Sequence, residues 1–130
     1  MPDRVFEDDP TIHGEERLFR RIPPTWVHWD EHGNPTVSSA AFKDSELSIC
    51  LESVMARSGR GPADAIRGRA PGFGLAAITA AHARSLHQAV ARDPLPEEAA
   101  HGIVYGPKKR DRVSNKLCDR AHWVIIPSRV

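Results

Sequence analysis

The chain has 130 residues, of which 40% are apolar and 27% charged. That is the length of one ordinary domain with its own core, and the composition of a globular protein. Eighteen Lys and Arg oppose 17 Asp and Glu for a formal net charge of +1, which excludes a globally basic nucleic-acid binder, an acidic solvating tail and a highly charged disordered chain.

Residues 1–15 are polar and acidic, are interrupted by Pro10 and Gly14, and read as a flexible N-terminal arm ahead of a single globular domain over 16–130. No apolar segment follows Met1 as a secretory signal would require, and no run nears the ~20 residues of a membrane span. The expectation is a cytoplasmic protein, with no membrane partner, in which Cys50 and Cys118 are reduced thiols. Glu16 to Ile22 alternates, with Leu18, Arg20 and Ile22 on one face and Phe19 and Arg21 on the other. This is a strand pattern, ended by Pro23-Pro24. The stretch 26–42, with turn-forming Asp30 to Pro35 at its centre, predicts a hairpin. Ser45 to Ala56 reads as a strand followed by a helical turn. Residues 57–74 hold five of the nine glycines and two prolines; they predict a long loop with a short helix at Pro62–Ile66.

Seven alanines fall between Leu75 and Arg92, without Gly or Pro, and Leu75, Ile78, His82, Leu86 and Val90 recur at helical spacing. One long helix over about 75–92 follows from that pattern, stopped by Asp93-Pro94. Gly102 to Tyr105 is a strand, Asp111 can cap a helix running to about Ala121 with Cys118 inward, and Trp123 to Ile126 is an uninterrupted apolar strand. The connection is long enough for a right-handed unit with two parallel strands. The expected fold is α/β or α+β: a single small domain whose mixed sheet is packed by the long helix and by a C-terminal strand–helix–strand unit over about 102–126.

Charge is distributed unevenly. Residues 1–31 carry eight acids and four bases, whereas 106–130 carry seven bases and two acids. Lys108, Lys109 and Arg110 lie on the loop after the 102–105 strand, and Arg112, Lys116 and Arg120 follow at helical spacing, on one stripe. Lysine and arginine neutralise phosphate, and a loop between a strand and a helix is where anions bind. These six residues are the candidate anion-binding surface. The GxxxxGK[ST] spacing of a phosphate-cradling loop is absent, and Pro107 removes a backbone donor. Gly72-Phe73-Gly74 is a second, weaker glycine-rich approach to a helix.

Of the seven histidines, His28 and His32 flank Asp30 at alternate positions, but Gly33-Asn34 place a turn there. His82 falls in the apolar stripe of the long helix and reads as a core residue, while His101 and His122 flank the two C-terminal strands. Two cysteines are too few for a structural zinc cluster. No metal site is expected and no cofactor can be named. Serine and cysteine nucleophile signatures are absent, and no carboxylate pair stands out.

Arg20 and Arg21 on an early strand, followed by Ser38-Ser39, resemble the first two motifs of ADP-ribosyltransferase-like folds. That resemblance implies a basic residue holding a dinucleotide and a serine motif shaping its pocket. The family's late glutamate has no counterpart, since no glutamate follows Glu98. More broadly, Arg20-Arg21-Ile22-Pro23-Pro24, Ser38-Ser39-Ala40-Ala41-Phe42, Asp93-Pro94-Leu95-Pro96, Ala100-His101 and Gly106-Pro107-Lys108-Lys109 together resemble a group of small uncharacterised bacterial proteins. This resemblance spans most of 17–127 and implies a bacterial, cytosolic, single-domain protein without implying an activity. The expected function is that of a small binding or accessory protein that engages a partner protein or a phosphate-bearing ligand through the basic surface. The alternative is an enzyme acting on a nucleotide or nucleic acid, with Arg20, Arg21, Ser38, Ser39 and His101 as the polar groups of its pocket.

Overall fold

Residues Arg17–Ile22 form the first strand, and its two side-chain rows feed two separate cores: Leu18 and Ile22 enter one, Phe19 the other. A strand with apolar residues on both faces must be covered on both, and the rest of the chain does this. The structure is a computed structural model and describes residues 6–108 and 112–129. In chain order its elements are β1 (Arg17–Ile22), β2 (Val27–Trp29), β3 (Pro35–Val37), β4 (Glu46–Leu51), α1 (Glu52–Arg57), α2 (Pro62–Ala65), β5 (Gly74–Thr79), α3 (Ala80–Ser85), β6 (Ala89–Arg92), β7 (His101–Tyr105), α4 (Arg112–Asp119) and β8 (His122–Ile125). Six strands make one antiparallel sheet in the order β6-β7-β4-β1-β5-β8, and β2 and β3 pair as a separate hairpin. The fold is α+β. One face of the sheet packs on α3, α4, the hairpin and a 3-10 turn at Ser39–Phe42; the other packs on α1 and α2.

Three expectations are corrected. The long helix over 75–92 is instead β5, α3 and β6. Gly74 to Ile78 are all buried, Leu75 and Ala77 toward one core and Ala76 and Ile78 toward the other. A helix over this run would have no polar face to turn to water, whereas a strand buried on both sides needs none. Burial thus overrides the helix propensity of alanine. The sheet is antiparallel throughout rather than mixed. The C-terminal strand–helix–strand elements do form, but β4, β1 and β5 lie between β7 and β8, so these are not neighbours and α4 crosses the face of the sheet. His101 and His122 are separated by the same strands.

Local signals serve well where they concern turns. Asp30 Oδ1 accepts the backbone N–H of His32 and of Asn34, both at 2.8 Å, and Gly33 takes φ +79°, closing the β2–β3 hairpin. Those bonds hold the Asp30 carboxyl below its ordinary value and use one of its oxygens in the turn. Among the described residues no group of three or more His, Cys, Asp or Glu could hold a metal ion.

The segment read as a loose arm is tied down over its described residues. Asp9 donates its N–H to Val90 O at 2.8 Å and Asp8 Oδ1 accepts that of Val90 at 2.9 Å, which covers the outer edge of β6. Asp8 pairs with Arg84 at 2.9 Å, Asp9 with Arg92 at 3.2 Å, and Ile12 is buried. The charges of Asp8 and Asp9 are therefore answered by α3 and β6. The basic residues of the C-terminal segment take no part in these pairs.

His87 leaves α3 with φ 59°, the one non-glycine residue in the left-handed region among the described residues. The residue is exposed, so burial of its side chain does not offset the steric cost of that conformation. His87→Gly is expected to stabilise the protein by about 0.5–1 kcal/mol, as a rise in Tm of roughly 2–4 °C by circular dichroism.

Two ion pairs tie the face packed by α1 and α2. Arg60 holds Glu98 through two bonds, at 2.8 and 2.5 Å, and Arg17 holds Glu52. Each arginine keeps its glutamate below the ordinary 4.5. A carboxyl whose value is lowered on folding contributes stability that is present above its unfolded value and is lost as pH falls through the folded one. Thermal stability is therefore expected to decline as pH drops below about 4.5. Glu98→Gln is expected to cost roughly 1–3 kcal/mol at pH 7, by stranding Arg60, and to flatten that decline. Thermal melts of both proteins between pH 7 and pH 3 check it.

Candidate functional site

The candidate anion-binding residues separate in space. Lys108 turns inward: its Nζ donates to Gln88 Oε1 at 2.6 Å and to Gly106 O at 2.9 Å, and burial lowers its pKa to about 8. It belongs to the scaffold beside β6. Lys109 and Arg110, with the Asp111 cap, lie outside the described residues. Arg112, Lys116 and Arg120 are exposed, Arg112 and Lys116 on α4 and Arg120 just beyond it.

Lys116 and Arg120 line a groove of about 740 Å³ between α3 on one side and α4 with the start of β8 on the other. Thr79 begins α3 by accepting the N–H of His82 on its Oγ1 at 3.1 Å, which sets His82 in the first turn. His82 Nε2–H donates to Lys116 O at 2.8 Å. That carbonyl is in the last turn of α4, where carbonyls lack partners within the helix, so His82 both caps α4 and ties the two walls together. The bond places the neutral ring's proton on Nε2 and leaves Nδ1 as an acceptor. His122 enters from β8, and Thr79, Ser85 and Asp119 complete the polar lining around Ala81 and Leu86. Two permanent cations and two imidazoles thus face a single carboxylate.

Sequence reasoning placed Lys116 and Arg120 on one stripe but missed His82 and His122 as their partners. The apolar-stripe spacing makes His82 a core residue of one long helix over 75–92; in the structure it lies in the short α3 and is half-buried in the groove wall. Its position three residues after Thr79, where a helix would be capped, was the available signal.

The five polar residues of the alternative pocket divide between the two sheet faces. Arg20 lies with the serine segment: Nε donates to Ala41 O and Nη1 to Ser48 O, both at 3.0 Å, and the guanidinium sits 5.4 Å from the Trp26 ring centroid. Ser38 accepts the N–H of Ala40 and caps the 3-10 turn that Ser39 begins. Burial lowers the Arg20 pKa. Arg21 and His101 are on the opposite face. Arg21 Nε donates to Ala65 O, and His101 Nδ1 lies 2.9 Å from Asp93 O and 3.1 Å from Asp93 Oδ2.

Both thiols are free and unsuited to attack. Burial pushes the pKa of each upward. Cys50 is fully enclosed, whereas Cys118, expected to be buried, is half-buried and donates to Val37 O at 3.1 Å. Among the described residues no helix is long and apolar enough to cross a membrane. No protein-family model, no curated protein and no solved structure matches the chain.

Proposed function

We propose that this is a small cytoplasmic binding protein that takes a phosphate-bearing ligand in the groove between α3 and α4. The observation that carries the reading is the lining of that groove, where Lys116, Arg120, His82 and His122 surround a cavity of about 740 Å³ with Asp119 as the one opposing charge. Lys116 and Arg120 attract and hold phosphate oxygens, arginine through two parallel bonds. His82 and His122 add ring nitrogens that can hydrogen-bond the ligand, and Ala81 and Leu86 give an organic part of it an apolar wall. An accessory role toward a partner protein would use the same surface, with acidic or phosphorylated side chains of the partner as the ligand.

The test is calorimetric titration of pyrophosphate and of a short single-stranded oligonucleotide into the wild type and into Lys116→Glu/Arg120→Glu. Both substituted positions are exposed, so the variant is expected to keep its Tm within the shift of about 0.5 kcal/mol usual for surface changes. Binding is expected to weaken with added salt and to fall at least about tenfold in the variant. Binding that the variant retains unchanged would remove the groove as the site.

A further inference from the structure

A second cleft, of about 380 Å³, opens on the opposite face of the sheet, beside the glycine-rich loop that follows α1. At its floor is Arg21, which rises from β1 on the same face as Phe19 and Cys50. Arg21 Nε donates to Ala65 O, and its Nη2 approaches Cys50 Sγ at 3.8 Å. Both groups are neutral. They fix the plane of the guanidinium without answering its charge, and they leave donors of its five N–H groups unused.

Glu98 feels the charge of Arg21 through space, but its oxygens, like those of Asp64, are bonded to other groups. Glu98 is held by Arg60 through both oxygens and also accepts the N–H of Ala100 at 3.0 Å. Asp64 pairs with Arg67 at 2.6 Å and accepts the N–H of Gly61 at 2.8 Å. What remains in the cleft is Arg21 and Arg69 against Glu97; the side chain of Arg69 has no partner among the described residues.

We propose that this cleft is a binding site for a small molecule with one oxyanion head group, a phosphate or a carboxylate, gripped between Arg21 at the floor and Arg69 on the loop. The planar fork of arginine fits both head groups. The cleft suits a compact ligand rather than a polymer. Its volume is at the low end for small-molecule pockets, and Glu97 and Asp64 break the continuous positive track that a polyanion follows. The site is separate from the α3–α4 groove and does not depend on the reading of that groove.

The experiment is a ¹H–¹⁵N titration with inorganic phosphate and, separately, with succinate, following the Arg21 Nε–H and the amides of 65–69. It is run on the wild type, Arg21→Gln, Arg69→Gln and the groove variant Lys116→Glu/Arg120→Glu. The expected result is a saturable shift with one or both anions, lost in Arg21→Gln, about tenfold weaker in Arg69→Gln and unchanged in the groove variant. Which anion gives the tighter saturation separates a phosphate ligand from a carboxylate one. Arg69 is exposed, so Arg69→Gln carries the test if Arg21→Gln does not fold. Absence of shifts with both anions would overturn the proposal. So would shifts that Arg69→Gln leaves intact, or shifts that disappear only in the groove variant.

Discussion

Phe42→Ala is expected to destabilise the protein by about 3–5 kcal/mol, the usual cost of emptying a buried phenylalanine site. Phe42 is 1% exposed and ends the 3-10 turn at Ser39–Phe42, which packs against α4 in the larger core. The upper part of that range is expected because the turn cannot settle into the cavity. Ser38 caps its start, and Arg20 grips Ala41 O while also reaching Ser48 O on β4. A locked backbone leaves the void open, and open voids are what make large-to-small changes expensive. A domain of this size has a total stability of about 5–15 kcal/mol, so the variant should be only marginally folded. Urea unfolding followed by tryptophan fluorescence measures it, with a lower midpoint at unchanged slope expected. A loss below about 1 kcal/mol would mean that the turn repacks, and that Arg20 does not hold it.

Gly102→Ala is expected to cost about 1–3 kcal/mol or more, from crowding rather than from a void. Gly102 lies in β7 opposite Ile49 on one side and Arg92 on the other. A methyl group there would sit 2.8 Å from Ala91 O and 2.9 Å from Ile49 Cδ1. The first neighbour is backbone of the adjacent strand, so relief requires β7 to move away from β6 and strains the ladder between them. Gly61→Ala is the matched control: a methyl group there meets nothing within 4 Å and the residue has no positive φ. It is expected to be neutral or slightly stabilising. Thermal melts of the two variants together check the argument, and equal Tm values would refute it.

Much of the local structure is legible in the sequence, because its signals act over a few residues. Alternation over Arg17–Ile22, the Asp30–Asn34 turn, the strand-to-helix switch near Leu51 and Pro62 at the first turn of α2 each read their own conformation. Residues Leu75 to Arg92 fail for the same reason. Alanine favours helix when judged by its neighbours alone, and what decides β5 is that both of its faces are buried by other elements of the fold, α2 and α3 and the strands beside it among them.

The candidate sites divide along the same line. The basic stripe of Lys116 and Arg120 follows from spacing within one helix. That His82 and His122 join it, that Lys108 turns inward to Gln88, and that Arg20 and Arg21 part to opposite faces depend on the sheet order β6-β7-β4-β1-β5-β8. By itself the sequence determined the size of the domain, most of its turns and strands, and the charge of its last helix, since these follow from composition and short-range sterics. Which strands are neighbours, which edges are covered and which charges face a cavity were decided by tertiary structure. Those outcomes rest on burying apolar faces that only the assembled chain can supply.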